Sequence, residues 1–236
     1  MRTPARIAVP LLAAAFALAA PAAASAQGPP STGGAAAPTA APPGAAIVAT
    51  PHVLVGKRAR FTGTFPARDA GSTVTIERFD DATLAWTAVT TAQVQVDGTY
   101  VAHWRADVAG RHRTRASLGS TPAHNPDGGA AAFAAAEGEE ASMTVYRGAV
   151  ASWYGPGFYG RKTACGERMT RTLLGVAHKR LPCGAQVAIS YEGRSITVPV
   201  VDRGPFVRGR RWDLTAATAK ALGFTFTDRI GAVRIG

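Results

Sequence analysis

Two aspartates near the C-terminal end of the chain are candidates for acid–base catalysis. Asp202 ends the apolar run VPVVD and is followed by Arg-Gly-Pro, and Asp213 lies further on in the stretch RRWDLT. A lone carboxyl group at such a position can donate and accept a proton during bond cleavage. It can equally hydrogen-bond backbone amides and hold a turn. Asp213 has a second interpretation too, because a carboxylate just ahead of a helix stabilises the positive helix end.

The elements around these aspartates are mostly strands. The segments AVASWYG, QVAISYEG, RSITVPVVD and IGAVRIG are typical of β-structure, and Glu192-Gly193 reads as a hairpin turn. One helix is predicted: Thr215 can cap it, AATAKAL contains good helix formers, and Gly223 ends it. Many strands and one helix in residues 148–236 predict a small closed barrel.

Residues 46–147 predict a separate, immunoglobulin-like β-sandwich. Short segments such as RARFTGTF, TVTIERF and TYVAHWRA alternate with period two and are rich in Thr, Val and aromatic residues. A polar, Ala-rich insertion follows at 119–140. His103, His112 and His124 have no acidic partner in sequence, so we expect them at the surface. This part contains no catalytic grouping and is predicted to be a spacer or a wall-binding module.

The N-terminal end indicates export. Residues 1–26 combine a basic start, an apolar run and an Ala-Ser-Ala site, as in a signal peptide, and residues 27–45 form a Pro/Ala/Gly-rich linker. The apolar run is too short for a permanent membrane span, and no Cys follows it, so neither a spanning segment nor a lipid anchor is expected. In an exported chain, Cys165 and Cys183 favour a disulfide. The five scattered His favour neither a metal site nor a cofactor.

The charge of the chain points to anionic partners. The net charge is +11, and residues 148–236 contain 14 Lys and Arg against 5 Asp and Glu. Outside the membrane, such a surface meets anionic wall polymers, phospholipid headgroups or extracellular DNA. Solubility alone is an equally good explanation. We therefore do not predict a nucleic-acid partner from charge.

Three long blocks carry a family resemblance. ASWYGPGFYGRKTACGERM, GVAHKRLPCGAQV and VVDRGPFVRGRRWDLTAATAKALG resemble the signature blocks of the rare lipoprotein A family, in the family's order. The resemblance covers residue 151 to the C-terminus. It implies a six-stranded double-psi β-barrel, as in expansins and barwin-like proteins. The implied activity is lytic transglycosylation, the cleavage of peptidoglycan glycan strands between N-acetylmuramic acid and N-acetylglucosamine.

The resemblance also assigns catalytic residues. Asp202 matches the Asp of the family's DRGP block and is the first candidate for the acid, and Asp213 is the alternative. Glu167 and His178 match the other polar positions associated with the family's site. In this reaction the muramoyl C6 hydroxyl attacks C1, so one carboxyl group can serve as acid and then as base.

Substrate-binding residues complete the prediction. Trp153 and Tyr154 can stack on sugar rings, although aromatic residues of a small barrel more often fill its core. Arg203 and Lys179 can bind the carboxylates of the substrate, or can belong to a solvated loop. The predicted function is an exported peptidoglycan lytic transglycosylase of the cell envelope. The alternatives are a non-catalytic, expansin-like module that binds wall polysaccharide, and a barwin-type barrel that binds another protein.

Overall fold

The computed structural model describes residues 46–118 and 137–236. The predicted signal peptide, linker and His124 lie outside the described residues, as does most of the predicted insertion. No helix within the described ranges has the length and apolar character needed to cross a membrane. The strands are β1 (Ala46–Ala49), β2 (His52–Leu54), β3 (Arg58–Thr64), β4 (Thr73–Asp80), β5 (Ala85–Gln93), β6 (Thr99–Arg105), β7 (Gly110–Leu118), β8 (Glu137–Trp153), β9 (Val176–Ala177), β10 (Gln186–Tyr191), β11 (Arg194–Asp202), β12 (Trp212–Leu214) and β13 (Asp228–Arg234); the α-helix α1 is Ala216–Leu222, and 3-10 turns lie at Ala67–Asp69 and Pro156–Phe158.

The N-terminal strands form the predicted sandwich. One sheet has the order β1-β3-β6, and the other has the order β5-β4-β7-β8 with β2 pairing β8 in parallel. The inward side chains of both sheets, such as Phe61, Ile76, Tyr100 and Val145, share one apolar core. The alternation of buried and exposed residues in β6 explains why the sequence pattern predicts it correctly.

His112 corrects one expectation of the sequence analysis. We expected it at the surface, but its side chain is buried, with only 5% of the residue exposed. Its Nε2 lies 2.8 Å from the Val108 carbonyl oxygen, and its ring meets Trp104 edge-on. Burial lowers the pKa of His112, so the ring is a neutral part of the sandwich core.

The C-terminal strands close the predicted barrel. The strand order is β12-β9-β11-β10-β13-β8, and a parallel pairing of β12 with β8 joins the two ends. The pairs β9–β11 and β8–β12 are parallel, and the other neighbours are antiparallel. The apolar interior contains Val176, Ile189, Val198, Trp212, Leu214 and Leu222.

A single strand belongs to both parts of the molecule. The first half of β8 pairs with β7, where Val145 opposes Gly110, and the second half pairs with β13, where Arg147 opposes Ala232. The boundary expected at residues 147 and 148 therefore falls inside a continuous strand. A sheet of the sandwich and the wall of the barrel share this strand, with no intervening loop.

The helix and its cap fix the short strand β9. As predicted, the Thr215 side chain accepts a hydrogen bond from the Thr218 amide, and Gly223 ends the helix with a φ of 70°. The Thr218 hydroxyl donates to the Gly175 carbonyl at 3.0 Å and accepts from the Gly175 amide at 2.9 Å. A Cβ atom at Gly175 would lie only 2.5 Å from the Val201 side chain. Only glycine lets the start of β9 approach β11 this closely.

Candidate active site

Asp202 and Asp213 lie on either side of one residue of β9. Asp202 of β11 and Asp213 of β12 both pair with Ala177, and Asp213 also pairs with Ser152 of β8. Neighbouring strands are about 4.8 Å apart, so the Cα atoms of the two aspartates are separated by roughly 10 Å. The fold thus brings the two carboxyl groups into one row across the strands.

The carboxylate of Asp202 is engaged by three donors. Its Oδ1 accepts from the backbone amides of Ala164 at 2.7 Å and Arg203 at 2.8 Å, and its Oδ2 accepts from the Tyr154 hydroxyl at 2.8 Å. Burial raises the pKa of Tyr154, and the bond to Asp202 raises it further. The phenol therefore stays protonated and donates. Asp202 holds the chain at residue 164 and the end of β8 in place.

Asp213 lies in a different electrostatic environment. The Ser152 hydroxyl donates to its Oδ1, and the carboxyl group is half-buried. Burial raises the pKa of Asp213; the Ser152 bond and the charge of Arg210 oppose this shift, and the negative charge of Asp202 adds to it. A raised pKa favours the protonated form, which a general acid needs.

A small apolar cluster and a disulfide enclose this face of the barrel. Tyr154, Met169 and Ala177 pack together, with Tyr159 and Leu173 against them. The predicted disulfide is present: Cys165 and Cys183 are bonded, with their Cα atoms 5.7 Å apart. Because Ala164 donates to Asp202, the bridge fixes the loop that contacts the carboxylate.

Glu167 lies on the same loop but does not touch the aspartates. Its backbone bonds Thr163 twice: the Thr163 amide donates to the Glu167 carbonyl at 2.7 Å, and the Glu167 amide donates to the Thr163 hydroxyl at 3.1 Å. Its side chain is exposed and makes no hydrogen bond or ion pair with the described residues. Its carboxylate is therefore available to a ligand.

His178 is adjacent to Asp202 through the backbone, while its ring faces elsewhere. Its amide donates to the Asp202 carbonyl at 3.2 Å. Its ring packs on Trp212 at 4.4 Å between centroids, and Trp212 precedes Asp213 in β12, where alternate side chains point to opposite faces. The imidazole thus lies across the sheet from the carboxyl groups.

The His178 ring is held as a neutral imidazole. Burial lowers its pKa, and the charges of Arg211, Arg203, Arg180 and Lys179 lower it further. Its Nδ1 accepts from the amides of Arg180 at 3.2 Å and Leu181 at 3.0 Å. The proton of the neutral ring is consequently on Nε2.

The predicted substrate-binding residues are distributed over two faces. Tyr154 joins the carboxyl groups, whereas the Trp153 indole packs against the barrel interior and donates to the Thr225 carbonyl at 3.0 Å. The Arg203 guanidinium lies 3.5 Å from the His178 carbonyl oxygen and 3.3 Å from the Cys183 sulfur. Lys179 lines a cleft of about 370 Å³ beside His178. Ser152 was not predicted, since a serine in an alternating strand gives no sign of a partner 61 residues away.

The closed six-stranded barrel with its parallel crossings places residues 147–236 in the double-psi β-barrel class. The same residues match the family model described as "Lytic transglycolase". Similar proteins include one from Synechocystis sp. named "Probable endolytic peptidoglycan transglycosylase RlpA", 48% identical over 88 residues, which are 36% of this chain and 27% of that protein.

Two further relatives give the same result. A protein of the same name from Aquifex aeolicus is 51% identical over 75 residues, 31% of this chain and 33% of that protein. The "Endolytic peptidoglycan transglycosylase RlpA" of Campylobacter jejuni is 44% identical over 75 residues, 31% of this chain and 27% of that protein. Residues 147–236 are therefore similar to the barrel part of these RlpA-named proteins. The chain spans about a third or less of the length of these relatives.

Proposed function

We propose that this protein is an endolytic peptidoglycan transglycosylase that acts in the cell envelope after export. It cleaves glycan strands at N-acetylmuramic acid and leaves 1,6-anhydromuramoyl ends. One observation carries the proposal: Asp202 and Asp213 flank Ala177 on one face of the barrel, within the segment that matches the lytic transglycolase family. Export through the N-terminal signal, without a lipid anchor, is part of the proposal.

Asp213 is the better proton donor of the pair. Its pKa is raised by burial, and among the described residues only the Ser152 hydroxyl donates to it, whereas three donors hold Asp202 as an acceptor. Asp213 protonates the glycosidic oxygen as the bond to the muramoyl C1 breaks. The C6 hydroxyl oxygen then bonds C1, and its proton returns to Asp213, so that one carboxyl group completes the cycle.

The remaining candidates have supporting functions. The Asp202 carboxylate stabilises positive charge that develops at C1 and keeps Tyr154 in place. Glu167 hydrogen-bonds a sugar hydroxyl, because its carboxylate is exposed and makes no contact with the described residues. His178 positions the end of β9 through its ring and its backbone. Lys179 and Arg203 bind carboxylates of the substrate.

The test is digestion of purified peptide-free glycan strands, with mass spectrometry of the products. We expect 1,6-anhydromuramoyl ends from the wild type, and formation of these ends at least about 10² slower from an Asp213→Asn variant that has the wild-type melting temperature. Reducing ends would indicate hydrolysis and overturn the transglycosylase mechanism. Binding of strands without cleavage would favour the non-catalytic, expansin-like alternative.

A further inference from the structure

Three adjoining concavities form one groove that starts beside His178 and continues into the sandwich. The first is the cleft of about 370 Å³ beside Lys179. The second, of about 270 Å³, shares His178 and Arg211 with it. The third, of about 710 Å³, shares Ala109 and Arg234 with the second and is lined in part by β4 and β7. Because each concavity shares lining residues with the next, a single extended ligand can occupy all three.

Cations dominate this groove. Among the described residues its lining contains nine Lys and Arg side chains and only two carboxyl side chains, Asp80 and Asp81. Arg78 and Arg113 pair with acids of the sandwich. Six exposed cations of the lining have no described Asp or Glu side chain within 4.0 Å: Lys179, Arg180, Arg211, Arg147, Arg111 and Arg234. Cations held together without acidic partners create a field that attracts an anion.

The groove is electrostatically connected to the two aspartates. Arg210 lines the first concavity, and its charge acts on Asp213. The amide of His178, at the border of the first two concavities, is bonded to the Asp202 carbonyl. Arg210 therefore links the groove to Asp213, although the His178 ring itself faces away from the carboxyl groups.

The lining favours carboxylates over nucleic acid. Single-stranded nucleic acids bind to free aromatic faces on which bases stack. Trp212 is only 4% exposed and packs on His178, and the Phe79 ring is covered by the Arg113 guanidinium at 4.6 Å. Guanidinium groups bind carboxylates through two parallel hydrogen bonds, a contact that needs no free aromatic face.

We propose that this groove binds the uncleaved part of the glycan strand through the lactyl carboxylates of its muramoyl residues, and that the sandwich supplies the far half of the groove. This assignment rests on the proposed function, since it takes the substrate to be a peptidoglycan glycan. It gives the sandwich a defined part in substrate binding, through Arg111 of β7 and Arg147 of β8.

The experiment measures binding of peptide-free glycan strands to the full chain carrying Asp213→Asn, with mass spectrometry to check that the strands stay intact. In this background, Arg111→Gln together with Arg147→Gln should weaken binding about tenfold, the product of two exposed charge contacts worth roughly threefold each. The matched control is Arg58→Gln with Arg60→Gln on β3, which removes the same charge from the other sheet. The control should bind like the parent.

Two further ligands identify the chemistry that the groove recognises. Strands whose lactyl carboxyl groups have been reduced to alcohols should bind at least tenfold more weakly than intact strands. Equal binding of reduced strands, or equal losses in the double variant and its control, would overturn the proposal. So would a single-stranded oligonucleotide that binds more tightly than the glycan and loses affinity in the same double variant.

This outcome is separable from that of the proposed function. Cleavage by the wild type with unchanged binding in the double variant would refute the binding role of the groove and support the proposed enzymatic activity. Binding that depends on lactyl carboxylates and on Arg111 and Arg147, without cleavage by the wild type, would refute the proposed enzymatic activity and support the binding role of the groove.

Discussion

Asparagine at position 213 preserves the size of the side chain and the acceptor for the Ser152 hydroxyl, but cannot donate a carboxylic proton. We expect the rate of anhydromuramoyl formation to fall by about 10² to 10⁴, the usual scale for losing general acid catalysis. The variant should be as stable as the wild type. The raised pKa of Asp213 shows that burial disfavours the ionised carboxylate, each unit of such a shift costs about 1.4 kcal/mol, and the uncharged asparagine does not incur this cost.

The sign of the pH dependence follows from the same shift. Between the ordinary value of 3.8 and its raised folded value, Asp213 binds more protons in the folded than in the unfolded protein. Its contribution to the free energy of unfolding therefore falls as pH rises through this window. Asp213→Asn removes this dependence, so its stability relative to wild type should rise with pH. Urea unfolding at several pH values measures the difference.

Asp202→Asn is the paired comparison and should lower stability as well as the rate, because it also removes the charge that stabilises C1. Asparagine can still accept from the amides of Ala164 and Arg203, but the bonds change from charge-assisted to neutral and lose about 1 kcal/mol each. A loss of about 2 kcal/mol lowers the melting temperature by roughly 4–8 °C in a folded unit that includes both the sandwich and the barrel. A folded Asp213→Asn protein with the wild-type rate, beside an inactive but stable Asp202→Asn protein, would refute the assignment and make Asp202 the acid.

Three other predictions concern the surroundings of the carboxyl groups. Replacing Cys165 and Cys183 by serine opens a loop with a sequence separation of 18 and should lower the free energy of unfolding by roughly 3 kcal/mol, measured by denaturant titration. Full stability of the wild type under reducing conditions would contradict this. The imidazole of His178 should titrate below 6.5 by NMR, so that the free energy of unfolding rises with pH up to that value. Arg211→Gln removes one of the charges that lower this pKa and should move the midpoint of the His178 titration upward. An unmoved midpoint would argue against the charge effect. Tyr154→Phe leaves Asp202 with its two amide donors and should cost about 1–2 kcal/mol of stability, measured by thermal unfolding against a Tyr159→Phe control.

Local patterns predicted most of the strands and the helix. Buried and exposed residues alternate along β6, and β11 begins directly after a turn. That turn, the Glu192-Gly193 hairpin, has the positive φ values that a two-residue turn needs. The continuity of β8 was not predictable in this way. Gly148 resembles a break, but it pairs with Gly231 inside the ladder. A close approach of two backbones has the same sequence signal as a turn.

The site was only partly predictable because its contacts are long-range. The third block indicated Asp202 and Asp213, and the two cysteines of a chain expected to be exported predicted the disulfide. The pairing of Asp213 with Ala177 and with Ser152 depends on the order of strands in the closed barrel. The same topology turns the ring of His178 away from the carboxyl groups, although its backbone is bonded to Asp202. In a barrel with parallel crossings, the position of a residue in the chain therefore does not predict the direction in which its side chain points.

The continuous strand β8 also determines how the molecule carries mechanical load. Its 17 residues extend over roughly 55 Å, with partner strands of the sandwich along one half and of the barrel along the other. When the two halves are pulled apart along this strand, the flanking ladders are sheared, and many hydrogen bonds resist together instead of opening one at a time. A pull at one end reaches the other end without a compliant joint. The spacing between the sandwich and the barrel should therefore stay constant under tension.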